Sequence, residues 1–201
     1  MSEPIEIKQI KDFRMALKDF EPMVKNPQFL RTGRKIGNFS LLPREAWANW
    51  LLCVTLQSIH GNGITFAEDF VGDGILLNKE RKEWIRLEHV SALDVPSDDS
   101  ALKNEERVLN AIQKKIDKGV EYALGKMLVA FIESAELWYP NRVGNKIHGK
   151  HNFVAVYCIG LLKSGRDGYQ YSISQLEPSN SPTWIININF DFTDWSIQRI
   201  Q

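Results

Sequence analysis

An α+β fold is the expectation, and three features of the sequence carry it. Apolar residues recur at helical spacing over 5–20, 43–60 and 101–124, and short strand-like runs lie between these segments. The last third, 152–196, holds three further strand-like runs separated by the turn signals "KSGRDG" and "PSNSP", which predicts an antiparallel β-meander. At 201 residues the chain is long enough to bury a substantial core as a single domain. Within it we expect an N-terminal helical extension (1–42), a central core (43–133) and the C-terminal meander (134–201).

Taken in order, "IEIKQIKDFRMALKDF" (5–20) places Ile7, Ile10, Phe13 and Leu17 on one helical face, with Glu21-Pro22 as the expected stop. "LLPREAWANWLLCVTLQSIHG" predicts a largely buried helix over 43–60, with Pro43 in the first turn and Gly61 just past the end. Glu45 suits that first turn through the helix dipole alone. "GITFAEDFV" (63–71) fits a strand or a helical turn. A helix is predicted over 101–124, with Ser100 as N-cap, Val108, Leu109, Ile112, Ile116, Val120 and Ala123 on one face, Gly119 weakening it and Gly125 ending it. "KMLVAFIES" (126–134) is a continuous apolar run, as expected of a strand buried on both faces. Residues 137–152, "LWYPNRVGNKIHGKHN", are rich in Gly, Asn and basic groups and read as a loop.

Composition narrows the function. There are 25 basic and 25 acidic residues, a formal net charge of zero, so any hold on nucleic acid must come from local patches. The best basic-aromatic segment is "KNPQFLRTGRKIGNFS", with Arg31, Arg34 and Lys35 between Phe29 and Phe39; Arg142, Lys146 and Lys150 form a second patch. Cys53 and Cys158 lie in separate apolar runs without metal-ligand spacing, which predicts buried free thiols in a reducing compartment. The segment "MSEPIEIKQIKDF" has no apolar signal region, and no window approaches a membrane span. A cytoplasmic protein with no membrane contact is expected. No phosphate-binding, dinucleotide, nucleophile-elbow or zinc-protease motif is present, so nucleotide hydrolysis and hydride transfer are disfavoured.

The stretch that carries chemistry is "DFVGDGILLNKERKEWIRLEHV" (69–90). It predicts a β-hairpin, Gly74–Leu77 and Trp84–Val90, around the charged turn "NKERKE". Alternation puts Trp84, Arg86, Glu88 and Val90 on one face of the second strand and Ile85, Leu87 and His89 on the other. A carboxylate on a partly apolar face is costly unless it is paired or bound to a cation. If Leu77 pairs with Trp84, the ladder sets Asp73 opposite Glu88, and two converging carboxylates suit Mg²⁺. The bland alternatives are an Asp-Gly turn and a Glu88–Arg86 pair at an exposed edge.

The expected order helix, strand, strand, strand, helix, strand over 43–133, with Asp73 in "GDGILL" and Glu88 in "LEHV", resembles the αβββαβ core of the PD-(D/E)XK nuclease-like superfamily, the restriction-endonuclease-like fold. The resemblance implies a metal-dependent nuclease that hydrolyses phosphodiester bonds. It implies Mg²⁺ or Mn²⁺ held by Asp73, Glu88 and the main-chain carbonyl of His89, with Glu45 contributing through a water. The family's tripeptide lysine is missing, since Val90 stands in its place. Some members supply it from the following helix; there, at about 100° per residue, Lys115 and Gln113 flank the apolar face while Lys114 and Lys118 turn to solvent. Lys115 is thus the expected substitute and Gln113 its polar partner. A second reading, from a different class, is a nuclease-fold module without catalysis that binds nucleic acid, or that pairs with a second copy or another protein through the exposed edges of its C-terminal meander.

Overall fold

The computed structural model describes residues 9, 10, 12–31, 41–68, 73–92, 104–132 and 138–201. These residues form an α+β protein whose eight strands follow one another in hydrogen-bonded order, β1 through β8, with six helices among the described residues. The chain divides into two compact units, Met1–Leu87 and Glu88–Gln201.

The first unit is built on helices α1 (Phe13–Lys25), α2 (Pro27–Arg31) and α3 (Pro43–His60) and strands β1 (Ile64–Ala67) and β2 (Ile75–Asn78). Helix α1 starts later and ends later than its apolar pattern predicts. Asp12 caps it, accepting from the amides of Arg14 and Met15, while Ile10 lies before the helix and its amide donates to the Phe66 carbonyl. Pro22 stays inside the helix instead of ending it. A mid-helix proline costs about 3 kcal/mol, but the extra turn buries Val24 beside Phe20, and each such side chain recovers about 1.5–3 kcal/mol. Helix α3 is as predicted, with Pro43 in its first turn and its last amide bond closed by Gly61. Trp47 and Trp50 are fully buried and stacked, with ring centroids 5.3 Å apart.

Strand β3 (Glu83–Ala92) begins in the first unit and ends in the second. It pairs with β2 in the predicted register, Leu77 opposite Trp84, and the ladder continues through Ile75 opposite Arg86. The ambiguous run at 63–71 contributes β1, antiparallel to β2.

In the second unit, α4 (Asn104–Ile116) carries the predicted apolar face, with Val108 and Ile112 fully buried. The expected single helix to Leu124 is instead two. Helix α4 ends at Ile116, and Gly119, at φ +93°, a conformation that favours glycine, is the N-cap from which α5 (Val120–Ala123) starts. Ser100 lies outside the described residues. Strand β4 (Lys126–Ile132) runs parallel to β5 (Ala155–Gly165) and is buried from Leu128 onward. The segment read as a loop at 137–152 contains α6 (Pro140–Ile147). Its glycine and asparagines obscured a four-residue repeat, Val143 and Ile147, that is fully buried against Val108, Ile112, Leu128 and Val156. Gly144 is there for closeness: a Cβ on it would lie 2.4 Å from the Glu177 carbonyl oxygen.

The C-terminal meander is antiparallel as predicted but has four strands, β5, β6 (Gly168–Gln175), β7 (Thr183–Ile188) and β8 (Trp195–Arg199). The third apolar run breaks at Asn189, whose side-chain oxygen accepts from the amides of Thr193 and Asp194 and turns the chain. Phe192 sits buried inside that turn. Cys53 and Cys158 are free and buried. No helix among the described residues is long and apolar enough to cross a membrane.

Candidate functional site

The group that defines the site is the Glu88 carboxylate, which lies in the second unit. Strand β3 carries it next to Val90, which packs on the unit's apolar core, and its side chain is only 12% exposed. An ionised carboxylate so placed requires compensation. Lys115, near the end of α4, supplies it: its Nζ donates to Glu88 Oε1 at 2.5 Å across 27 residues of sequence. Lys126, the first residue of β4, brings its Nζ to 3.7 Å from Glu88 Oε2. Glu88 therefore pairs with two lysines of its own unit, and Arg86 lies instead over the ring of Trp84, 5.5 Å from its centroid.

Tyr122, on α5, ties the lysines together. Its hydroxyl accepts from Lys115 Nζ at 3.3 Å and from Lys118 Nζ at 3.2 Å. It also helps to hold the Glu88 carboxyl in its charged form. A phenol has two lone pairs and one proton, and here both lone pairs face ammonium donors. The ammonium groups of Lys126 and Lys118 lie 4.0 and 4.3 Å from the Tyr122 ring centroid, within cation–π range. Burial pushes the Glu88 carboxyl up, but the bonds from Lys115 and Tyr122 and the charges of Lys115 and Lys126 outweigh it. The group therefore titrates below the ordinary carboxylate range and is ionised at neutral pH.

Glu45 accepts from the Leu42 amide at 3.1 Å and so acts as a cap of α3. Asp73, in the first unit, precedes β2, and its carbonyl accepts from the fully buried Asn49 amide at 3.0 Å. Gln113 donates to Asp117 Oδ1 at 2.7 Å along the exposed side of the α4 end. His89 follows Glu88 on β3. Arg31 closes α2, and Arg34 and Lys35 lie outside the described residues. Arg142 stacks over Tyr139, with its Nη1 3.5 Å from Glu105 Oε1, and Lys146 and Lys150 are exposed on and after α6. Among the described residues, no three His, Cys, Asp or Glu side chains come together as a set of metal ligands.

Two participants escaped the sequence reading. Lys126 opens a run that is otherwise apolar to Ile132, and that isolated charge was the available signal. Tyr122 gave none, because it joins the site only through the break at Gly119.

What fold and site define together is an α+β protein with a lysine-ringed carboxylate. Comparison with family models, with curated proteins and with solved structures returned no match.

Proposed function

We propose that the chain is a nuclease-like protein that hydrolyses phosphodiester bonds in nucleic acid, with Glu88 and Lys115 at its working centre. The observation that carries the reading is the reach of Lys115 from the helix after β3 to the Glu88 carboxylate. A migrated lysine must make that contact to stand in for the one absent at Val90. The element order α3, β1, β2, β3, α4, β4 also supports it, being helix, three strands, helix, strand.

Such an enzyme calls for Mg²⁺ or Mn²⁺. Glu88 fits in kind, as an ionised, partly buried oxygen donor. The main-chain carbonyl of His89 is the neighbouring donor on β3, and Asp73, in the first unit, is assigned from sequence. When bound, the ion supplies Lewis-acid polarisation of a phosphate oxygen and a more acidic water. The chain's own contribution is to hold Glu88 ionised and to keep an ammonium, Lys115, beside it, where negative charge develops in phosphoryl transfer.

One observation favours the second reading, a module that binds nucleic acid without cutting it: both oxygens of Glu88 face ammonium groups. The test is Mn²⁺ calorimetry with Glu88→Ala and Asp73→Ala, each separately, alongside cleavage of single- and double-stranded DNA and RNA. Under the hydrolase reading the wild type binds Mn²⁺ and cleaves one substrate class, both carboxylate variants lose both properties, and Lys115→Ala loses cleavage while retaining the ion. Nucleic-acid binding with neither Mn²⁺ binding nor cleavage would replace it by the second reading.

A further inference from the structure

The Glu88 cluster holds more positive charge than its carboxylate answers. Lys115, Lys118 and Lys126 all converge on Tyr122, and Glu88 is the one carboxylate paired with them among the described residues. The balance is two positive charges in excess, in a chain whose formal net charge is zero. Lys126 is the least satisfied of the three. Its side chain is 22% exposed, and its 3.7 Å approach to Glu88 Oε2 exceeds hydrogen-bond length. Its ammonium otherwise rests on the Tyr122 ring and has protons left to give to an oxygen ligand. Lys118, at the same ring, gives one proton to the Tyr122 hydroxyl and has others to give.

We propose that Lys126 and Lys118, held at the Tyr122 ring beside Glu88, form a seat for a phosphate group. Phosphate suits it on two counts. Its tetrahedral oxygens accept from several donors at once, and its charge of one to two matches the local excess. Lysine ammoniums bind phosphate as compact point charges. The inference deepens the hydrolase reading, on which it rests for the ligand being a nucleic-acid phosphate. It assigns to this site two lysines distinct from Lys115, as residues that position the backbone and do not act on the scissile bond.

Lysine acetylation of the wild-type chain, mapped by mass spectrometry with inorganic phosphate or acetate at equal ionic strength, tests the seat directly. Phosphate is expected to slow modification of Lys126 and Lys118 and leave Lys146 and Lys150 unchanged, with acetate inactive. No protection, or equal protection at Lys146 and Lys150, overturns the proposal. In parallel, Lys126→Met and Lys118→Met should each weaken binding of a 5′-phosphorylated oligonucleotide about tenfold, the scale of one lost charge-assisted bond. Lys126→Arg should retain it, and circular dichroism should confirm the fold of each variant. Wild-type binding by both methionine variants also overturns the seat. Protection without cleavage in Mg²⁺ supports the seat and counts against the hydrolase; cleavage without protection does the reverse.

Discussion

Lys115 and Glu88, 27 residues apart, meet at 2.5 Å between the end of α4 and the middle of β3. Both side chains are largely shielded, at 16% and 12% exposure. That shielding separates the pair from a surface ion pair, which contributes about 0–1 kcal/mol, and makes loss of one partner more costly than the pair's net worth.

Lys115→Met should therefore lower unfolding stability by about 1–3 kcal/mol, because it leaves a desolvated carboxylate with one fewer donor. Denaturant melts of Lys115→Met, Glu88→Gln and the double variant check this. The double variant should be less destabilised than the two single changes summed. Strict additivity would show that the two side chains are not coupled.

The stability should also depend on acid in a direction set by Glu88. Its carboxyl titrates below the ordinary value of 4.5 in the folded chain, so its contribution is present above that value and is lost as pH falls through the folded one. Between the two values the unfolded chain holds the extra proton, so stability rises with pH there. The stability gap between wild type and Glu88→Gln should be constant near neutrality and narrow below about pH 4.5. A gap that does not change down to pH 3, or one that widens, would contradict the pairing.

Gly144→Ala should destabilise. In an ordinary helix interior that exchange gains about 1 kcal/mol. Here the added methyl would lie 2.4 Å from the Glu177 carbonyl oxygen, and overpacking against backbone costs about 1–3 kcal/mol. A thermal melt that rises instead would mean α6 can move away from the segment after β6.

How far the site was legible follows from the range of each interaction. The position of Lys115 was readable because α4 is regular: 100° per residue from Ile112 and Ile116 turns it toward the apolar face. The register of β2 with β3 was readable because a short charged turn and the alternation of the strand leave one pairing. Gln113 was one step off that face and finds Asp117 instead. Helix α6 was hidden because Gly144 and two asparagines lower local helix propensity, while the gain from burying Val143 and Ile147 lies in residues far along the chain. The same holds for Pro22, whose local cost is outweighed by tertiary burial of Val24.

The sequence by itself determined the α+β class, helix α3, the hairpin register, the two buried thiols and the turn of Lys115 toward the apolar face of α4. Each rests on local periodicity, turn length or composition. Only the tertiary structure decided that Lys126 joins Glu88, that the Tyr122 hydroxyl accepts from both Lys115 and Lys118, and that the third apolar run of the meander becomes β7 and β8. Those outcomes depend on where Gly119 and Asn189 redirect the chain, and a change of direction at one residue places groups that are distant in sequence within reach of one another, which no local pattern records.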